Sequence, residues 1–118
     1  KDFVALLHCV SLYPPKLHEL NLSQINLLKQ KFSCVTGYSD HSGMPNIASR
    51  AVLAGAEIIE CHITLNKHRS GFDHKVSLNP SEFKEMVLGV RNAEQLLGSP
   101  EFVRSPEIQK TGVKMGRY

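Results

Sequence analysis

Apolar residues fall along this chain in two alternating rhythms: short continuous runs, and longer stretches in which they recur every three or four positions. The runs read as strands and the spaced stretches as helices, because side chains repeat every second residue in one and about every 3.6 residues in the other. Phe3 to Val10 is the first run, apolar throughout as in a parallel strand covered on both faces. It stops at Tyr13-Pro14-Pro15, where proline cannot continue a ladder. From about Leu22 to Lys31, Ile25, Leu27 and Leu28 fall at helical spacing, with Asn21 or Ser23 available as N-cap. Val35 to Ser39 is the second strand, and His41 lies just beyond it. Pro45 to Ala54 brings Ile47, Ala48, Ala51 and Val52 onto one helical face, closed by Gly55; Glu57 to Thr64 is the third strand.

The last helix carries the clearest start signal. Asn79 is placed as N-cap, Pro80 suits the first helical position, and Glu82 completes a capping box. Phe83, Met86, Val87, Val90, Ala93, Leu96 and Leu97 then form an apolar stripe ending at Gly98. Ser99 to Tyr118 has two prolines, mixed charge and weak periodicity, as in a linker. The order βαβαβ followed by a loop and a long helix requires right-handed crossovers and a mainly parallel sheet, so the fold class is α/β. Three such units suit either a piece of a (β/α)₈ barrel or a small open sheet.

Composition changes this picture little. At 118 residues, with 42% apolar and 21% charged residues, the chain is an ordinary soluble globular type able to build one core. The net charge of +3 is carried in part by Lys67, Arg69, Lys75, Arg104, Lys110, Lys114 and Arg117, which are dispersed; nucleic-acid binding is not expected, and a small anionic substrate is. Cys9, Cys34 and Cys61 show no CxxC spacing and read as reduced thiols of a cytoplasmic protein. No apolar run has membrane-spanning length, and the start, almost directly in a strand and without Met, is that of a piece of a longer protein.

Alternation along the strands sorts the polar residues. Val35, Gly37, Ser39 and His41 share one face of the second strand, and Ile58, Glu60 and His62 share one face of the third. Ser39 and the two histidines then stand at the carboxyl ends, where parallel α/β folds place their active sites. Two imidazoles and a carboxylate, Asp73, eleven residues after His62, are residues that can converge on one metal ion. His8, inside an apolar strand, is expected to be a hydrogen-bonded core imidazole, and Asp40, of opposite parity to His41, a local cap. Asp73-His74-Lys75 and Tyr13 are open to two readings, solvated turn or site. On these residues alone a zinc hydrolase using His8, His41, His62 and Asp73 is an alternative, as is a noncatalytic module.

The segments LLHCVSLYPP, GYSDHSG, A-x-x-A-G-A-E-I-I-E-C-H-I-T and D-H-K-V-S-L, in this order over roughly residues 4 to 98, closely resemble the C-terminal part of the catalytic barrel of sialic acid synthases (N-acetylneuraminate synthases) and their legionaminate and pseudaminate relatives. The resemblance implies that residues 1–98 are the last three βα units of a (β/α)₈ TIM barrel. Residues 99–118 would be a linker toward an antifreeze-like domain. It implies a cytoplasmic, homodimeric enzyme that condenses phosphoenolpyruvate with N-acetylmannosamine or a related N-acyl sugar and water, using a divalent metal, Mn2+ before Mg2+ or Co2+. By this similarity His41 and His62 hold the metal, Ser11 and Ser39 bind phosphoenolpyruvate, and Tyr13 and Asp73 contact the sugar, Asp73 accepting hydroxyl protons. Glu60 orients its neighbours. The chain departs from the pattern at Ser11, where several relatives carry Asn, and after His41, where Ser-Gly-Met-Pro-Asn replaces the more usual Thr-x-Gly. The lysines and acidic residues that complete the family's site lie on earlier strands, so the 118 residues alone are expected to be inactive.

Overall fold

The computed structural model describes residues 3–101 and 105–114. Three strands, β1 (Ala5–Cys9), β2 (Val35–Asp40) and β3 (Ile58–Cys61), form one parallel sheet in the order β1-β2-β3. The register pairs Cys9 with Ser39, Gly37 with Ile58 and Ser39 with Glu60. The strands are shorter than the apolar runs that announced them. Extension lasts where a neighbour accepts the backbone hydrogen bonds, and β1 and β3 each have a neighbour on one side only among the described residues.

Four α-helices stand among the described residues: α1 (Ser23–Phe32), α2 (Ile47–Leu53), α3 (Pro80–Leu97) and α4 (Pro106–Lys114). The N-cap of α1 is Leu22, with no side-chain cap bond, rather than Asn21 or Ser23. Asn21 is spent on the preceding turn: it takes φ 45° and its amide donates to the Glu19 carbonyl at 3.0 Å. The start of α3 follows its sequence signal. Asn79 Oδ1 accepts from Glu82 N–H at 2.9 Å, and Glu82 Oε2 accepts from Asn79 N–H at 2.9 Å. Helix α4 lies inside the stretch read as a linker. Its signal was present, since Ser105 Oγ accepts the Ile108 N–H at 3.2 Å and Pro106 stands at the first helical position. Arg104 and Arg117 of the dispersed basic set lie outside the described residues.

The core sits on one face of the sheet. Tyr38 is fully buried there with Leu20, Ile25, Ile47, Ala51 and Ala56, and Ile59 joins this cluster to a second one of Ala48, Leu78 and Met86. On the other face, Leu7, Gly37, Ser39, Ile58 and Glu60 join neither core cluster among the described residues, so the expectation of a first strand covered on both faces is not met by these residues alone. At Gly37 the absence of a side chain is required: an added Cβ would meet the Ile58 carbonyl oxygen at 2.4 Å. This second face is the one whose carboxyl end carries the histidines.

Candidate functional site

His41 follows directly on β2 and is 7% exposed. Its Nδ1 lies 3.0 Å from the Val10 carbonyl, which can only accept, so Nδ1 carries the proton and Nε2 keeps its lone pair. Tyr13, in the loop after β1, donates its hydroxyl to that Nε2 at 3.2 Å and stacks on the ring at 4.2 Å between centroids. His62, the residue after β3, meets His41 edge-on at 5.1 Å. Three elements whose ends are set side by side by the parallel register thus deliver Tyr13, His41 and His62 to one place.

Asp73 reaches the same place by a longer route. After His62 the chain loops out and returns along its own strand end, Leu78 N–H donating to the His62 carbonyl at 2.8 Å and Thr64 N–H to the Leu78 carbonyl at 2.9 Å. A short 3-10 turn, Asp73–Lys75, stands within this loop. The Ser77 hydroxyl donates to the Asp73 carbonyl at 2.7 Å, and Thr64 Oγ1 bonds His74 Nδ1 at 2.8 Å. The Asp73 carboxylate then faces His62 Nδ1 at 3.7 Å, beyond hydrogen-bond reach, with its side chain 62% exposed. A cavity of about 410 Å³ opens here, lined by His62, Gly71, Phe72, Asp73, His74 and Ser77 among others.

Of the residues singled out in the sequence, Tyr13, His41, His62 and Asp73 come together. Ser39 lies deeper, on the same face, and its hydroxyl donates to Glu60 Oε1 at 2.6 Å. Ser11 is exposed past the end of β1. Asp40 is the local cap it was read to be: its two oxygens accept from Ser42 N–H and Ser42 Oγ, each at 2.9 Å. Burial and the nearby Asp40 hold the Tyr38 hydroxyl well above the ordinary phenol range. His8 points into the helix-covered core, where Nε2 donates to the Leu20 carbonyl at 2.8 Å, so a zinc set built from His8, His41, His62 and Asp73 does not assemble. The convergence of both histidines and Asp73 on one ion is also not seen: among the described residues no three His, Cys, Asp or Glu side chains form a metal-holding group.

Three contributors escaped sequence reading. The Val10 carbonyl sets the His41 tautomer, which no side-chain pattern announces. Cys9 Sγ, 3.7 Å from His41 Nδ1, was accessible to parity, since Cys9 pairs with Ser39. Phe72 meets Tyr13 edge-on at 5.4 Å across a loop whose path only tertiary structure sets.

Two adjacent imidazoles are donors that suit a divalent cation. His41 has its Nδ1 anchored to a carbonyl, the usual arrangement of a ligating imidazole, its Nε2 lone pair is held by the displaceable Tyr13 hydroxyl, and His62 stands beside it. No described helix is long and apolar enough to cross a membrane.

Comparison with known proteins identifies a family and relatives of known structure. Residues 1–102 match the NeuB family. The chain is 41% identical over 100 residues to the N,N'-diacetyllegionaminic acid synthase of Legionella pneumophila, covering 85% of this chain and 28% of that protein. With the N-acetylneuraminate-9-phosphate synthase of Homo sapiens it shares 38% identity over 112 residues, covering 94% of this chain and 31% of the relative. The solved structure of the N-acetylneuraminic acid (sialic acid) synthetase of Leptospira borgpetersenii in complex with citrate superposes with a TM-score of 0.85 at 37% identity, covering 95% of this chain and 39% of that one. The chain therefore spans well under half the length of each of these three proteins.

Proposed function

The chain belongs to the NeuB family, and we propose that it forms the last three βα units of a (β/α)₈ barrel that condenses phosphoenolpyruvate with N-acetylmannosamine or a related N-acyl sugar. The single observation that carries the proposal is the meeting of Tyr13, His41, His62 and Asp73 at the carboxyl ends of parallel strands. The sheet face outside both core clusters supports the barrel, since Leu7 and Ile58 on that face require a cover that earlier strands would supply.

In this reading His41 and His62 hold a divalent metal, Mn2+ before Mg2+ or Co2+. A metal held there would supply Lewis-acid polarisation of the sugar aldehyde, a contribution of several kcal/mol. Carbon 3 of phosphoenolpyruvate attacks the aldehyde, water adds at carbon 2, and phosphate leaves. Asp73 accepts hydroxyl protons of the acceptor, and its exposed carboxylate beside His62 is free to do so. The Tyr13 hydroxyl, which bonds His41 Nε2, would be the group that contacts the sugar. Ser39 and Ser11 hydrogen-bond phosphoenolpyruvate. Ser39 has to release Glu60 to donate to an anion, and Glu60 is given the role of orienting its neighbours.

The complete protein is proposed to be a cytoplasmic homodimer, with residues 99–118 leading toward an antifreeze-like domain. The isolated 118 residues are proposed to be inactive, because the cations that would neutralise the phosphate lie on the missing strands. The deciding experiment is phosphate release by the full-length protein from phosphoenolpyruvate, N-acetylmannosamine and Mn2+, with His41→Ala and His62→Ala alongside. Sugar-dependent release, lost in both variants, is the expected result. No release with N-acetylmannosamine or with any related N-acyl acceptor would overturn the proposal.

A further inference from the structure

Phe72 is the most conspicuous residue of the site that the reaction leaves unused. A phenylalanine ring that is 74% exposed loses the stabilisation burial would bring, about 2 kcal/mol for a side chain of its size. Yet the ring is not loose on the surface. It lies edge-on to Tyr13 at 5.4 Å, it lines the same cavity of about 410 Å³ as His62 and Asp73, and it immediately precedes the carboxylate assigned to the acceptor. Gly71 before it adopts φ 135°, a conformation a side chain would strain, and this turn sets the aromatic ring and the carboxylate in succession at the cavity.

The site thus has two chemically different neighbours at its mouth, a carboxylate that takes hydroxyl protons and an aromatic wall that can take none. We infer that Phe72, with the ring of Tyr13, is a specificity residue that receives the apolar acyl methyl of an N-acyl sugar acceptor. The inference rests on the synthase reading above. Its physical basis is the match of partners: hydroxyls of a hexosamine satisfy Asp73, while the acyl methyl has no hydrogen bond to offer and is best placed against an apolar surface already exposed to water. Covering that surface contributes binding energy that a sugar lacking the acyl group cannot collect. Discrimination by one apolar group in a pocket is on the order of ten-fold.

The test compares the full-length enzyme with Phe72→Ala and Phe72→Leu. It measures the KM for N-acetylmannosamine, the KM for phosphoenolpyruvate, and the inhibition constant of mannose, which has no acyl group. Phe72→Ala is expected to raise the N-acetylmannosamine KM about five- to ten-fold while leaving the phosphoenolpyruvate KM and the mannose inhibition constant unchanged. Phe72→Leu, which keeps an apolar wall, is expected to recover most of the loss. Unchanged kinetics in Phe72→Ala, or an equal weakening of N-acetylmannosamine and mannose, would overturn the inference while the parent's sugar-dependent activity left the synthase reading standing. A parent enzyme that releases no phosphate with any N-acyl acceptor would overturn both.

Discussion

Gly37→Ala tests the link between strand packing and the histidine pair. Gly37 lies on the central strand opposite Ile58, with its missing side chain directed at the β3 backbone. An added Cβ would stand 2.4 Å from the Ile58 carbonyl oxygen and 2.8 Å from the Ile58 Cβ, where side-chain carbons essentially never come within 3.0 Å. Both atoms belong to a strand rather than to a flexible side-chain end, so β3 has to move away by about half an ångström or more. Overpacking of this kind costs about 1–3 kcal/mol, partly offset by the roughly 0.5–1 kcal/mol that alanine gains over glycine from its stiffer unfolded chain. The net loss, about 1 kcal/mol within limits of roughly 0 and 2.5, corresponds to a melting temperature lower by roughly 3–6 °C at this chain length. The displaced strand carries Glu60 and leads into His62, so the 2.6 Å Ser39–Glu60 bond and the 5.1 Å ring contact of His41 with His62 loosen together. Thermal unfolding by circular dichroism and a calorimetric Mn2+ titration of parent and variant measure the two effects. A variant that melts at or above the parent temperature with undiminished Mn2+ affinity would refute the reasoning.

Two further outcomes follow from single contacts. His8→Leu leaves the buried Leu20 carbonyl without its donor, a loss of about 1–3 kcal/mol in unfolding free energy, while Mn2+ affinity stays at the parent value because His8 faces the core; loss of metal binding in a folded His8→Leu variant would contradict the assignment of faces. The Glu82 carboxyl is held below its ordinary value by the Lys67 ammonium, 2.7 Å away, and by the Asn79 N–H. The folded state therefore binds that proton less readily than the unfolded one, and the stabilisation is complete above the ordinary value of 4.5 and lost as pH falls through the lower folded value. Thermal melts between pH 7 and pH 3 are expected to show a smaller acid-induced drop in Glu82→Gln than in the parent, and equal drops would sink the explanation.

Where local rules act alone, the sequence was legible. The α3 start could be read from Asn79-Pro80-Ser81-Glu82 because a capping box closes within four residues, the grouping of Ser39 with Glu60 followed from period two, and His8, inside an apolar strand, is the hydrogen-bonded core imidazole expected of it. The N-cap of α1 misled because two polar residues competed and a tertiary turn consumed one of them. Helix α4 is announced only by its Ser105-Pro106 start, because its weak apolar periodicity gives no stripe to mark it.

Sequence alone thus determines the βαβαβ order, the parity of each strand residue and, through four ordered motifs, the family, all of which depend on spacing along the chain. Which groups touch was decided by tertiary structure. The Val10 carbonyl that orients His41, the Tyr13 hydroxyl on its Nε2, the loop that brings Asp73 back to His62 and the placing of Phe72 against Tyr13 join residues up to several dozen positions apart. Their distances depend on the sheet register and on the path of a loop held by Thr64, His74 and Ser77, and no local periodicity encodes either.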